Sequence, residues 1–216
     1  GVYDVAIDPS NTNIIYIATG DVDGGDTYSI GILKSIDGGL TWNPTGLSYM
    51  TSANKLVSRI LINPTSTNII YAATNNGIYK STDSGTNWTN ILLGTYRDME
   101  FKPGSPNTIY ICGTFFKYST DAGATWNNSS TTFSLINRLS MAVTPANSAY
   151  VYLLASNIGD NGFEACFRST NSGADFTVMS DASTDPNILG WDASGGDAGG
   201  QGWYDLSIAA SPTNAN

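Results

Sequence analysis

The chain has 216 residues, of which 23 are glycine and only 12% are charged, a composition typical of an all-β protein rich in turns. It contains no histidine, which excludes the usual serine-protease triad and His-ligated zinc. Its two cysteines, Cys112 and Cys166, are too few for a Cys-rich zinc site or a disulfide framework, and we expect free thiols rather than a bond between them. The net charge of −9 argues against a nucleic acid partner, and no apolar run is long enough for a membrane span.

Short strand-like runs rich in Ile, Val, Tyr and Thr follow one another from the first residues onward, separated by Gly, Pro, Asn, Asp and Ser. In the first part of the chain the pattern predicts strands at 3–8, 14–19, 31–35 and 41–44, and then at 58–63, 69–74, 77–81 and 87–92. No stretch keeps a 3.6-residue apolar period, so we predict no long helix.

The sequence Ser-x-Asp-x-Gly-x-x-Trp, the Asp-box, occurs at 35–42, 81–88 and 119–126, with a worn fourth copy at 169–176. It falls between the third and fourth predicted strands of each unit. We expect its Asp to accept hydrogen bonds from backbone N–H groups of its own turn and its Trp to pack between neighbouring units. These residues are therefore interpreted as structural: Asp37, Trp42, Asp83, Trp88, Asp121, Trp126, Asn171 and Phe176.

A Pro–Asn turn followed by an apolar run recurs in phase with the Asp-box, at 8–16, 63–71, 102–110 and 144–150, and begins again at 211. Such periods indicate repeat architectures, and four antiparallel strands per repeat describe a β-propeller blade. We therefore predict one propeller segment over 1–216, with units of approximately 1–57, 58–96, 97–137 and 138–203 and the first strand of a fifth unit in 204–216. The segment is interpreted as part of a larger propeller.

The first unit carries an insertion between its second and third strands that contains Asp21, Asp23 and Asp26. Closely spaced carboxylates on a Gly-jointed loop suit a hard cation, and oxygen-only ligands favour Ca²⁺. The alternative is a solvated Asp-Gly turn. Calcium is thus a possible ligand and no other cofactor is indicated.

A second insertion runs from Asp181 to Trp203 and combines four Asp and six Gly with two Trp residues. Long loops inside compact domains are usually functional or disordered. Because sugar rings stack on Trp and their hydroxyls bond to Asp, we predict a ligand-binding site at Trp191, Asp192 and Trp203. The alternative is that Trp191 covers an edge and the glycine run is flexible.

Arginines open the first strand of three successive units, at Arg59, Arg97 and Arg138. Sialidases hold a carboxylate with three arginines, but the Arg-Ile-Pro signature of that family is absent here. We favour salt bridges within the repeat, to Asp98 or Asp205, over a sialidase site.

The repeated Asp-box resembles that of the Asp-box (BNR) β-propellers, and this resemblance covers nearly the whole chain. The family includes sialidases, two-propeller xyloglucanases, sortilin-like receptors and photosystem assembly factors, so it implies a fold rather than one activity. The runs at 18–21, 31–35, 58–64 and 200–206 are similar to large propeller proteins that Bacteroidetes secrete through the type IX system. That similarity implies an extracellular or cell-surface location.

Two functions follow from these resemblances. The regular scaffold residues and the lack of a convergent catalytic set favour a non-catalytic propeller for adhesion, ligand binding or surface assembly, whose partners are a surface polysaccharide or protein and the remainder of the parent propeller. The alternative is a glycoside hydrolase similar to the two-propeller xyloglucanases, since 19–25 is loosely similar to the Asp-Val-Gly-Gly of that family's first blade. Its catalytic candidates are Asp21 and Asp23, and the resemblance implies a partner acid on a second propeller.

Overall fold

The computed structural model describes residues 1–22 and 27–215. These residues form sixteen strands and one 3₁₀ turn, Thr51–Ala53. The strands are β1 Val2–Ile7, β2 Ile15–Thr19, β3 Gly31–Ser35, β4 Asn43–Ser48, β5 Val57–Ile62, β6 Ile70–Thr74, β7 Gly77–Ser81, β8 Thr89–Leu92, β9 Asp98–Lys102, β10 Ser105–Cys112, β11 Phe116–Ser119, β12 Asn127–Asn128, β13 Ile136–Val143, β14 Val151–Asn157, β15 Phe163–Ser169 and β16 Thr177–Asp181.

The strands form four separate sheets of four, and within each sheet the strands lie side by side in chain order. The strand pairs for which a register is described are antiparallel. Each sheet is thus a propeller blade, and the all-β prediction of four-stranded blades is confirmed. We number the blades one to four along the chain. No helix among the described residues is long and apolar enough to cross a membrane.

The chain divides into two compact units, 1–99 and 100–216. The first unit holds blades one and two. Its core lies between these blades and is formed by apolar side chains from strands of both. Tyr16, Ala18 and Ile32 of blade one share one buried cluster with Ile60 and Ile70 of blade two. The backbones of the two blades also meet, because Gly46 N donates to Gly85 O at 2.8 Å.

The second unit holds blade four and all of blade three except the first two residues of β9. Its core is aromatic. Phe176 replaces Trp in the worn Asp-box. Its ring centroid lies 4.9 Å from that of Phe116 in blade three and 5.7 Å from that of Phe133, and both ring pairs are edge-on. Edge-on pairs of this kind stabilise a core beyond the area that they bury.

The four Asp-box turns have the same internal hydrogen bonds. In the first, Ser35 Oγ donates to Asp37 Oδ1 at 2.7 Å, while the backbone N–H groups of Gly39 and Thr41 donate to Ser35 Oγ and Asp37 Oδ1. The same set recurs around Asp83, Asp121 and Asn171. Two consecutive residues of each turn have positive φ, and only the second is always glycine.

The Asp-box aromatics differ in environment. Trp88 packs against the core between blades one and two and donates its indole N–H to Gly85 O at 3.0 Å, whereas Phe176 is a full member of the aromatic core. Trp42 and Trp126 are half-buried.

The segment predicted to start a fifth unit differs from a regular strand, since none of the residues 204–215 is assigned to one. Its apolar residues nevertheless pack on blade four: Leu206 is buried with Leu154 and Phe163, and Ile208 joins the same cluster. The Tyr152 hydroxyl donates to Ala215 O at the far end of the segment. We call residues 204–215 the tail.

Both cysteines are free. Cys112 is buried in the aromatic core, and Cys166 is partly buried at the cluster that the tail covers. Burial raises the pKa of the Cys166 thiol, which keeps it protonated near neutral pH.

Candidate functional site

The first-blade insertion leaves the sheet directly after β2. Asp21 lies at its base, where its backbone N–H donates to Thr27 O at 2.7 Å. The side chain of the next residue, Val22, is buried, and Arg97 Nη1 donates to Val22 O at 3.1 Å. A residue at the start of blade three thus holds the backbone beside Asp21 in place.

The return of this insertion to β3 is also fixed by hydrogen bonds. Thr19 Oγ1 donates to Gly31 O at 2.7 Å and accepts from Ile30 N at 3.0 Å, while Ser29 N donates to Lys55 O of the following connection. These buried contacts order both ends of the loop, so the carboxylate of Asp21 is carried on a defined backbone.

Exposed apolar side chains lie along the same edge of the first unit. Tyr28 and Ile30 follow the insertion, and Met50 lies on the neighbouring connection, joined to it because Tyr49 N donates to Ile30 O at 3.1 Å. The connection that follows Asp21 therefore carries exposed apolar side chains. Sequence reasoning missed Tyr28, although its position beside the insertion was available as a signal.

The predicted calcium ligands cannot all be placed, because Asp23 and Asp26 lie outside the described residues. Among the residues that the structure does describe, no three His, Cys, Asp or Glu side chains cluster in a way that could hold a metal ion. Calcium binding therefore stays a prediction, as does the catalytic role of Asp23.

The second insertion is organised by one side chain. Asn187 Oδ1 accepts from Phe163 N at 2.8 Å and from Leu189 N at 3.3 Å, and its Nδ2 donates to the carbonyls of Asp197 and Gly199. One amide therefore ties blade four to three points along the loop. The glycine run thus carries hydrogen bonds to Asn187, and its flexibility stays one of the two alternatives.

The candidate ligand residues Trp191 and Asp192 lie side by side in this loop. Asp197 Oδ2 accepts from the backbone N–H groups of both, at 2.7 and 3.2 Å. These bonds, above all the one from Trp191, lower the pKa of Asp197 and keep it ionised. The Trp191 side chain is 68% exposed at a groove of about 450 Å³ that is also lined by Pro186, Asn187, Ile188 and Gly195.

Trp203 lies at the end of the loop, with its ring centroid 5.4 Å from that of Tyr204, and both rings are partly exposed. The backbone carbonyls of Trp203 and Tyr204 accept hydrogen bonds from Arg138 Nη1 at 2.9 and 3.0 Å. The second insertion thus presents two aromatic surfaces, one at Trp191 and one at the Trp203–Tyr204 pair.

The first strands carry alternating charges, and the predicted salt bridge from an arginine to Asp98 is confirmed at Arg59, whereas sequence reasoning missed the second acid, Asp4. The residue five positions before the repeat proline is Asp4 in blade one, Arg59 in blade two and Asp98 in blade three. Arg59 lies between the two acids, with Nη1 3.6 Å from Asp4 Oδ1 and Nε 3.7 Å from Asp98 Oδ1. This arginine is therefore part of the scaffold rather than of a carboxylate-binding site.

Comparison with known proteins adds sequence similarity to this geometry. No family model matches the chain. The chain is 31% identical to xyloglucanase Xgh74A of Acetivibrio thermocellus over 190 residues, which is 83% of this chain and 20% of that protein. The chain therefore spans about a fifth of the length of this relative.

Solved structures show the same fold. An ancestral GH74 enzyme superimposes with a TM-score of 0.67 at 20% identity, over 84% of this chain and 24% of that one. YCF48 from Cyanidioschyzon merolae superimposes with a TM-score of 0.57 at 15% identity, over 86% of this chain and 57% of that one. At these identities the likeness establishes the β-propeller fold and leaves function to the site.

Proposed function

We propose that this chain is part of an extracellular glycoside hydrolase that binds and cleaves a β-glucan of the xyloglucan type. The observation that carries the proposal is the 31% identity to a xyloglucanase over 83% of the chain. This favours the glycoside hydrolase alternative over the non-catalytic adhesion propeller. A location outside the cell belongs to the same proposal, while export by a type IX system stays a prediction from the sequence.

In this proposal Asp21 is one of the two catalytic carboxylates. An inverting glycosidase places two carboxyl groups about 6.5–9.5 Å apart, one as general acid and one as general base for the attacking water. Asp21 is suited to one of these positions because Arg97 and Thr27 fix the backbone on either side of it. The second carboxyl group is assigned to another part of the protein, in keeping with the two-propeller resemblance.

The exposed aromatics would bind the sugar chain. A pyranose ring presents an apolar face that stacks on an indole, and its hydroxyls bond to neighbouring carboxylates. Trp191 and Asp192 offer this combination at the groove of the 182–203 loop, and Tyr28 offers an aromatic surface just after the insertion that carries Asp21. Polysaccharide binding is therefore expected to survive in the isolated chain.

The test is calorimetric titration of the chain with xyloglucan oligosaccharides, with cello-oligosaccharides in parallel. Trp191→Ala is expected to weaken binding about tenfold, which corresponds to the ~1.4 kcal/mol within reach of a single aromatic contact. Leu40→Ala, on an Asp-box turn and 85% exposed, is the matched control and should bind as the original chain does. If the chain binds neither the xyloglucan oligosaccharides nor the cello-oligosaccharides, the proposal is rejected.

The same chain should release no reducing sugar from xyloglucan, because it supplies only one of the two carboxyl groups. Release that is abolished by Asp21→Asn and kept by Asp175→Asn would instead place both carboxyl groups within these 216 residues. Release that Asp21→Asn leaves unchanged would remove Asp21 from the catalytic assignment.

A further inference from the structure

The outermost strand of blade four is more open than the outermost strands of the other blades. β16 pairs only with β15, and its residues Thr177, Val178 and Met179 are exposed. By contrast, β4 contains Pro44, β12 has two residues, and the last three residues of β8 are half-buried. Proline and short length protect an edge strand from pairing with another chain. β16 has five residues and no proline, so it lacks both kinds of protection.

The backbone of this edge is covered at its two ends. Phe176 N donates to Thr131 Oγ1 at 2.7 Å just before β16, and Asp181 N donates to Asp185 Oδ2 at 3.1 Å at the end of the strand. Within the described part of the chain, the backbone of 177–180 is hydrogen-bonded to β15 alone. The outer edge of 177–180 is therefore available to a further strand.

A groove of about 560 Å³ lies beside the same strand. It is lined by the apolar side chains of Ala165, Phe167 and Val178, by the carboxylates of Glu164 and Asp181, and by three hydroxyl side chains, and no described Lys or Arg lines it. Ala165 and Phe167 belong to the core shared with blade three, so the groove is on the side of blade four that faces that complete blade. Because Val178 and Asp181 are residues of β16, a strand added to β16 would run past the groove.

A β-bulge brings the two carboxylates to one groove. Phe163 and Ala165 each have a partner on β14, whereas Glu164 between them has none. Bulges re-aim a side chain in this way and are common beside binding sites. On the other side of β15, Asp181 pairs with Ala165, the neighbour of Glu164. The two acids are thus close together on adjacent strands.

Each carboxylate uses one oxygen within the chain and leaves the other open. Glu164 Oε2 accepts from Asn157 Nδ2, and Asp181 Oδ1 accepts from Ser183 N at 2.9 Å. The hydroxyl and the backbone N–H of Ser183 lower the pKa of Asp181, which keeps it ionised near neutral pH. Glu164 Oε1 and Asp181 Oδ2 accept from no donor among the described residues.

The lining of the groove selects the class of ligand. Neighbouring carboxylates repel, and a cation relieves this repulsion whereas a neutral sugar does not. Ca²⁺ takes six to eight oxygen ligands, and no three acidic side chains cluster in the described chain. The apolar part of the lining suits a hydrocarbon stem that carries the charge. These features together fit the side chain of lysine or arginine.

We propose that an extended peptide segment of a partner protein adds to the outer edge of β16 and places a lysine or arginine side chain in this groove. In strand addition, main-chain hydrogen bonds supply affinity and pockets for alternate side chains supply specificity. The surrounding charge attracts such a segment, because residues 155–216 contain eight acidic residues and Arg168 as the one basic residue. This site is separate from the sugar-binding role proposed for Trp191.

The experiment is fluorescence anisotropy of the 216-residue chain with a labelled pentapeptide amide, Thr-Val-Lys-Val-Thr. A second peptide carries norleucine in place of lysine, which keeps the stem and removes the charge. The lysine peptide is expected to bind at least about tenfold more tightly, as hydrogen bonds to charged groups allow. No binding of the lysine peptide, or equal binding of both peptides, would overturn the proposal.

Substitutions in the chain test the location of the site. Asp181→Asn with Glu164→Gln keeps the side-chain shapes and the bonds from Ser183 and Asn157, and should weaken binding of the lysine peptide about tenfold while leaving that of the norleucine peptide unchanged. Asp175→Asn removes an exposed acid of the same blade outside the groove and is the matched control. An equal loss of affinity in this control would assign the attraction to net charge and reject the groove. Circular dichroism confirms that each variant is folded.

Modified ligands test the pairing with β16. The N–H groups of alternate residues of an added strand face its neighbour. N-methylation of the two valines, or of the lysine and the two threonines, should therefore abolish binding in one case and preserve it in the other. Equal effects of the two patterns would reject strand addition. N-acetyl-lysine methylamide should bind at least tenfold more weakly than the peptide, and equal affinity would show that the groove takes a small amine rather than a peptide strand.

Discussion

The Asp-box turns and the 182–203 loop are made of the same residue types, Ser, Asp, Asn and Gly, but use them differently. In each turn the polar groups bond to one another within a few residues, and the pattern is the same in all four blades. In the loop, Asn187 bonds to residues 24 positions before it and 12 positions after it, and Trp191 is left exposed. Repetition with local bonding indicates scaffold, whereas a unique segment with distant bonding and exposed aromatics is where a ligand site is expected.

The largest effect is expected from a substitution that disrupts an Asp-box turn. Gly173 has a φ of +86°, and a Cβ placed there would lie 2.5 Å from the ring of Phe116. Gly173→Ala should therefore combine left-handed backbone strain with overpacking and lower the free energy of unfolding by about 3 kcal/mol. Urea denaturation measures the change.

Gly104→Ala is the matched control for this substitution. Gly104 has a φ of +76°, and nothing lies within 4 Å of its Cβ position. Gly104→Ala should therefore introduce backbone strain alone and lower the free energy of unfolding by about 1–2 kcal/mol. Equal losses at the two positions would show that the contact with Phe116 is not what makes the turn sensitive.

A smaller effect is expected when the loop is loosened. Asn187→Ala removes the acceptor of the buried Phe163 N–H, which should cost about 1–3 kcal/mol and free the loop from blade four. Limited proteolysis should then cut within 182–203, while the exposed Asn43→Ala variant should resist cleavage there as the original chain does. Cleavage first in an Asp-box turn would contradict the proposed difference between the two regions.

The smallest expected effect is a dependence of stability on pH that comes from the aspartates of the Asp-box turns. Hydrogen bonds from Thr41 lower the pKa of Asp37 to about 2, and those from Thr125 do the same for Asp121, from an ordinary value of 3.8. Because the folded-state pKa is depressed, the stabilisation is complete above pH 3.8 and is lost as pH falls towards 2. Asp37→Asn with Asp121→Asn should flatten the decline in unfolding midpoint between pH 4 and 2, whereas an unchanged decline would assign it to other carboxylates.

The fold was predictable from the sequence because its determinants are local. The period-2 strands and the Asp-box both act within fewer than ten residues, so each could be read without knowledge of the rest of the chain. Strand ends were less predictable. The fourth strand of blade one begins at Asn43 rather than Thr41, because Thr41 is held in the turn by Asp37.

The candidate site was only partly predictable, since its geometry depends on contacts across the sequence. The acidic insertion was visible from composition, but the bond from Arg97 to Val22 joins residues 75 positions apart. The order of the second insertion likewise depends on Asn187, one of many asparagines in the chain. No local pattern marks which of these polar residues finds a distant partner.

The charges on the first strands have a consequence for how a protein of this kind can change its number of blades. Asp4, Arg59 and Asp98 follow one another so that the base of blade two lies beside the acids of blades one and three. Loss of blade two alone would bring Asp4 next to Asp98, and two adjacent carboxylates repel. Duplication of a single blade would create the same conflict between like charges. Gain or loss of blades in pairs would keep acid beside base, so recombination of this gene is expected to preserve blade pairs.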